Sequence, residues 1–184
     1  MPSAGKALAV VAHPDDCIIF ALPLIEHYSN FDWHIAYLTY TKIDPRAQEV
    51  ENFWSQRNVT CEFLGFVDDY QDQQTQQFNF WNPADAEQNV HRVINTVQPV
   101  LVLTHNQDGD YGHIHHKLLY DIVSKVDFPQ IYFASTFNAT DEFTAQEYSL
   151  DDLPIHKSVI EDFQDRLTGR YIITDRARSF LSCK

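Results

Sequence analysis

Apolar runs and amphipathic stretches alternate along the chain. Ala7–Ala12 is a continuous apolar run, the pattern of a strand buried on both faces. Trp33–Tyr40, rich in aromatic and β-branched residues, predicts a second strand, and Val59–Leu64, closed by Gly65, a third. Asp44-Pro45 supplies an N-cap and a first-turn proline, and Ala47, Val50 and Trp54 follow at helical spacing. Asn82-Pro83 opens another helix, with Ala86, Val90, Val93, Ile94 and Val97 on its buried face and Pro99 ending it. Val100–Thr104 is the second strongly apolar strand. The loop Asn106–Gly112 leads from it to a helix buried through Leu118, Leu119, Ile122 and Val126. Ile131–Ala134 predicts a further strand, and Ile155, Val159, Ile160, Phe163 and Leu167 a last amphipathic helix.

Two stretches resist assignment. Pro23 falls inside the expected first helix, which is either kinked there or begins there. The stretch after Gly169 fits neither period clearly. Residues 68–82, polar and glutamine-rich, form the longest expected loop.

Strands alternating with helices predict a Rossmann-like three-layer α/β domain with a mostly parallel sheet, and no linker or repeat divides residues 1–184. In such sheets ligands bind beyond the carboxyl ends of the strands. A metal site is expected there.

Composition narrows the partners. Lys and Arg number 13 against 26 Asp and Glu, a net charge of -13, which opposes binding to nucleic acid or to an anionic membrane surface. Five glycines provide no GxGxxG fingerprint and no Walker A loop. Cys17, Cys61 and Cys183 make neither a CxxC pair nor an even disulfide framework. No apolar run reaches the ~18 residues that a membrane span needs, and the first is too short for a signal-peptide core. The default expectation is a cytoplasmic protein; assembly as a homo-oligomer stays open.

Two motifs carry the chemistry. His13-Pro14-Asp15-Asp16 follows the first strand, and Tyr111-Gly112-His113-Ile114-His115-His116 follows the fourth. Histidine and carboxylate ligands suit zinc. His13 and Asp16 sit three residues apart across a turn into a helix, so one ion can be reached by both. His113 and His116 share a face at i, i+3, and His115 should point elsewhere.

In order and spacing these motifs resemble the LmbE-like (PIG-L type) family of zinc-dependent de-N-acetylases, over about Ala7 to Phe133. The resemblance implies removal of an N-acetyl group from a glucosamine-type conjugate or a related small molecule. It implies Zn2+, or another divalent metal, on His13, Asp16 and His116. It makes Asp15 the general base and His113 the electrostatic partner or general acid, with His113 protonated as the oxyanion forms. Three protein ligands leave a coordination position open, as catalytic zinc sites do. Tyr111 matches a tyrosine near the reacting carbonyl, Arg46 a substrate-side arginine and Asp68 an acidic residue for sugar hydroxyls. Loop packing, a solvated first turn and a simple turn residue are their respective alternatives.

The chain departs from the family pattern at three points. Cys17 stands where the motif has Glu, either as a thiolate beside the metal or as a small packing residue. His115 stands where the second motif has Asp, which would hydrogen-bond a catalytic His and favour its charged form, so His113 should be less readily protonated. The bulky Ile18-Ile19-Phe20-Ala21 replaces the usual glycines, which should narrow the site floor or set the first helix differently. These departures keep open a metal- or sugar-binding module with impaired catalysis. A metallohydrolase acting on a phosphoester is disfavoured by the scarcity of basic residues near the motifs.

Overall fold

A computed structural model describes residues 4–134, 137–145, 153–154 and 168–183. The expected helix over Ile155–Leu167 lies outside the described residues. Among the described residues, seven strands form one sheet: β1 (Lys6–Val11), β2 (Asp32–Thr39), β3 (Thr60–Phe66), β4 (Leu101–Thr104), β5 (Gln130–Phe133), β6 (Asp141–Thr144) and β7 (Thr168–Ile173). Their order is β3-β2-β1-β4-β5-β7-β6. The first five run parallel, and β7 is antiparallel to both neighbours. The stretch after Gly169 that gave no clear period is therefore the end of β7, followed by a helix over Asp175–Leu181.

Helices cover both faces. On one lie α1 (Leu22–His27), α2 (Pro45–Ser55) and α6 (Asp175–Leu181); on the other α4 (Pro83–Val97) and α5 (Ile114–Val123). A short α3 (Tyr70–Thr75) lies within the stretch expected as loop. There Asp69 accepts from the Gln71 amide and starts a turn that the glutamine-rich sequence did not advertise.

β1 shows why the apolar run must be buried twice. Ala7, Ala9 and Val11 join the cluster with Trp33, Tyr37 and Trp54; Leu8, Val10 and Ala12 join the opposite one with Val90, Val93 and Ile94. Each large aliphatic side chain so buried contributes about 1.5–3 kcal/mol relative to exposure. The expected caps form: Asp44 accepts from the Arg46 amide at 2.9 Å and Asn82 from the Ala84 amide at 3.0 Å. No helix among the described residues is long and apolar enough to cross a membrane.

The first helix resolves the Pro23 conflict. Cys17–Ala21 is a π-helical turn, and α1 begins at Leu22 with the proline in its first turn. The Tyr171 hydroxyl enters the break, donating to Phe20 O at 2.6 Å and accepting from Leu24 N at 3.2 Å. A hydroxyl thus takes the place of one i→i−4 bond.

Candidate metal centre

β1 is flanked by β2 and β4, so the chain reverses its direction of travel across the sheet between β1 and β4. That switch point is where the ends of two adjacent strands open a crevice. His13-Pro14-Asp15-Asp16 follows β1. His105 follows β4, and the loop 106–112 carries the chain to α5.

Three donor atoms converge. His13 Nδ1, Asp16 Oδ2 and His116 Nε2 lie 3.2 Å from one another pairwise. An ion about 2.1 Å from each, the usual zinc distance, would space tetrahedral donors about 3.4 Å apart. All three residues are buried. The two imidazole nitrogens face each other and one carboxylate oxygen, a donor set of the type that zinc selects. The residues present therefore fit a divalent metal.

The outer hydrogen bonds orient these ligands. Asp16 Oδ2 also accepts from the His13 amide at 2.7 Å, which closes the turn after β1. Asp110 Oδ2 accepts from His116 Nδ1 at 2.8 Å and from His105 Nδ1 at 2.5 Å. His105 Nε2 in turn accepts from the Ala12 amide at 3.1 Å, so its proton sits on Nδ1. His116 likewise keeps its proton on Nδ1 and turns a bare Nε2 to the centre.

The Asn106–Gly112 loop builds this support. Asn106 Oδ1 accepts from the Asp108 and Asp110 amides, and Asp110 itself has φ 63°. Gly109 has φ +71°, and a Cβ there would lie 2.6 Å from His113 O, so only glycine fits the turn.

Asp15 sits beside the triad. Arg46 Nη2 lies 3.0 Å from Asp15 Oδ1, and Arg46 Nη1 donates to the Tyr40 hydroxyl at 2.7 Å. Tyr40 donates onward to Asp68 Oδ2 at 2.9 Å, and Asp68 Oδ1 lies 3.4 Å from His13 Nε2. Arg46 is thus part of a polar chain from Asp15 to His13, not a freely solvated side chain.

His113 caps α5, its Nδ1 accepting from the His115 amide at 3.2 Å, which leaves its proton on Nε2. Tyr111 is exposed, with its ring centroid 5.2 Å from that of His116 and 5.8 Å from that of His113.

Electrostatics separate the roles. Burial opposes charging His13, but Asp16 and Asp68 raise it to about 10. Burial likewise opposes ionising Asp16, yet His116 and His13 hold its carboxyl well below the usual range. Asp15 is raised by burial and by Asp16, against the pull of Arg46. Burial and the neighbouring imidazoles of His13, His116 and His115 push His113 down to about 2. These surroundings favour a neutral His113 that donates from Nε2, the direction that His115 in place of the motif's Asp implies.

Two expectations need correction. His115 does not point elsewhere: it is fully buried, and its Nδ1 lies 3.3 Å from His13 Nε2. The thiolate alternative for Cys17 gives way to packing. Its sulfur contacts Pro14 O, the Tyr37 hydroxyl and Trp54 Nε1 at 3.1, 2.7 and 2.9 Å, and burial pushes the thiol well up.

Sequence reasoning brought His13, Asp15, Asp16, Arg46, Asp68, Tyr111, His113 and His116 to one crevice. It passed over His105, Asp110, Tyr40 and Asp72. His105 carried a signal, since it directly follows an apolar strand; Asp72, within a polar run, carried none.

The fold and the crevice define an α/β protein with a histidine–carboxylate centre at the switch point of its sheet. A model of the PIG-L family, described as GlcNAc-PI de-N-acetylase, matches residues 8–126, and the chain belongs to that family. It is 27% identical over 143 residues to uncharacterized protein L374 of Acanthamoeba polyphaga mimivirus, covering 68% of this chain and 59% of that one, so it spans well under two thirds of that relative. Among solved structures it resembles GalB, the 4-carboxy-2-hydroxymuconate hydratase of Pseudomonas putida KT2440, with TM-score 0.59, 16% identity and coverage of 76% and 72%. It also resembles Dbv21, an A40926 pseudoaglycone deacetylase, with TM-score 0.55, 15% identity and coverage of 80% and 71%. These likenesses show the shared fold.

Proposed function

We propose that the protein is a metal-dependent hydrolase that removes an N-acetyl group from an amino-sugar conjugate of the N-acetylglucosamine type or a related small molecule. The observation that carries this reading is the triangle of His13, Asp16 and His116 donors with Asp15 beside it. Family membership supports the reaction class. His13, Asp16 and His116 would hold Zn2+ or another divalent ion. When bound, such an ion supplies a Lewis acid for the amide oxygen and lowers the pKa of water.

The chain's own residues do the rest. Asp15, raised by burial and Asp16 against the pull of Arg46, takes a proton as water attacks the acetyl carbon. His113 donates from Nε2 to the developing oxyanion. Asp15 then returns its proton to the leaving amine, and acetate departs. Tyr111 stands at the open side of the crevice to line the acyl group. Asp68 offers its remaining lone pairs to sugar hydroxyls, with Oδ2 already fixed by Tyr40.

The test is acetate release from N-acetylhexosamine conjugates by zinc-loaded protein, with Asp15→Asn as control. The expected result is turnover in the parent and a loss of at least about 100-fold in the variant, at unchanged metal content. Full turnover in the variant would overturn the role of Asp15. Metal or sugar binding without acetate from any conjugate would assign the chain to the binding-module reading instead.

A further inference from the structure

His115 stands where the family's second motif places a carboxylate, and both of its ring nitrogens face a polar group. Its ring is fully buried against Phe78 and Trp81, at centroid distances of 6.1 and 5.3 Å. Nδ1 lies 3.3 Å from His13 Nε2, and Nε2 lies 3.5 Å from Asp72 Oδ2. Asp72 is also fully buried; its Oδ1 accepts from the Asn79 amide at 2.7 Å. Asp72 Oδ2 and His115 Nε2 are both buried without a hydrogen-bond partner among the described residues, and at 3.5 Å each is the other's nearest candidate.

Tautomers decide how this row of atoms works. A His13 that offers Nδ1 to a metal carries its proton on Nε2, and that buried N–H faces two acceptors, Asp68 Oδ1 at 3.4 Å and His115 Nδ1 at 3.3 Å. His115 Nδ1 can accept only if the His115 proton is on Nε2, where it faces the Asp72 carboxylate. The opposite tautomer sets two N–H groups against each other across 3.3 Å and turns a bare lone pair to a carboxylate oxygen, with both contacts buried.

We propose that Asp72 and His115 form an imidazole–carboxylate support for His13, with the carboxylate supplied from α3. His115 is then a positioning residue that fixes the tautomer and ring orientation of His13. This rests on the metal-site reading above.

Two measurements test it. Long-range 1H–15N NMR of the full chain, without metal and with Zn2+, should find the His115 proton on Nε2 in both states. Co2+ binding, followed by absorbance, should weaken about 10–100-fold in His115→Ala and about 10-fold in Asp72→Asn, which offers one acceptor oxygen where Asp72 offers two. His115→Asn, whose amide oxygen can stand near the place of Nδ1, should recover most of the loss. In that background Asp72→Asn should add nothing.

A proton on His115 Nδ1, or undiminished Co2+ affinity in Asp72→Asn, would overturn the proposal. So would thermal destabilisation of the variants with no change in metal affinity. Should His115→Ala not fold, the comparison of His115→Asn with Asp72→Asn decides the question in its place. Failure of the metal-site reading is a different result: the parent chain then binds no Co2+, and the NMR tautomer still tests the Asp72–His115–His13 row.

Discussion

His105 and His116 stack with ring centroids 3.7 Å apart and planes 20° from parallel, and both turn Nδ1 to one oxygen of Asp110. Stacking two imidazoles this closely is sustained by that shared anion. Burial opposes ionising Asp110, but His105 and His116 bring it down to about 2.

Asp110→Asn should therefore affect both metal and acid stability. The amide keeps the shape but offers one acceptor oxygen and an NH2, so an imidazole N–H loses its partner. Metal affinity should fall about 10–100-fold, measured by competition with a chelating dye. A carboxyl with a depressed folded pKa contributes stability in full above its unfolded value near 4, and that contribution is lost as pH falls through about 2. For Asp110 this amounts to about 2 kcal/mol in metal-free protein. Urea midpoints of the parent should drop between pH 5 and pH 2.5 by more than those of the variant. Parallel pH curves would refute the assignment.

Arg46 links Asp15 to Tyr40, and its charge opposes the upward push of burial on Asp15. Arg46→Ala should raise Asp15 further. Since the base works ionised, the acid limb of kcat/KM should move to higher pH, by about one unit for a partly exposed pair. Arg46→Lys should recover only part of this, because one ammonium cannot serve both Asp15 and Tyr40 as the guanidinium fork does. An unmoved limb in Arg46→Ala would show that the pair does not tune the base.

Metal binding should itself depend on pH. His13 is raised to about 10 by Asp16 and Asp68 against burial, so at neutral pH the ligand atom carries a proton that an ion must displace. Affinity should increase from pH 6 to pH 9, with roughly one proton or more released per ion. Calorimetry in buffers of different ionisation enthalpy measures that release. Proton-neutral binding would contradict the charged His13–Asp16 pair. The same raised pKa stabilises metal-free protein fully below about pH 6.5, and the contribution fades as pH rises toward 10.

The five parallel strands were legible because apolar runs such as Ala7–Ala12 and Val100–Thr104 can be satisfied only inside a doubly covered sheet, whereas β6, β7 and the strand order were not. The residues after β1 and β4 were legible for the same reason, since a parallel sheet places its ligand groups there. What escaped depended on tertiary meetings. Asp72 reaches His115 across a separation of 43 positions, from a helix that only its Asp69 cap announces. The orientation of His115 escaped because helical periodicity was applied from His113, whereas His113 is the cap and the helix begins at Ile114. The neutral Cys17 followed from Tyr37 and Trp54, neither of which is near it in sequence.

The three thiols should separate cleanly in alkylation. Cys183 is exposed, whereas Cys17 is buried and burial pushes it well up, and burial also raises Cys61 to about 12. Alkylation at pH 8 should therefore modify Cys183 first and leave Cys17 untouched until the protein unfolds. Loading or stripping metal should not change the Cys17 rate. Rapid Cys17 labelling in metal-free protein, blocked by zinc, would revive the thiolate-ligand alternative.

Tyr171 gives the last prediction. Its hydroxyl bridges Phe20 O and Leu24 N at the junction of the π-turn and α1, and Phe20 packs against His105 and His116 with centroids 6.1 and 6.3 Å away. Tyr171→Phe keeps the buried ring but leaves a carbonyl and an amide without their bridge. The cost should be about 1–3 kcal/mol, a fall of several degrees in melting temperature. Direct closure of Leu24 N onto Phe20 O is opposed by Pro23, whose ring clashes with Ile19 O in a regular α-helix. Amide exchange at Leu24 should accelerate in proportion to the lost stability or faster. A parent-like exchange rate there would mean that the helix heals without the hydroxyl, and that the π-turn owes its shape to Pro23 and the packing of Phe20 alone.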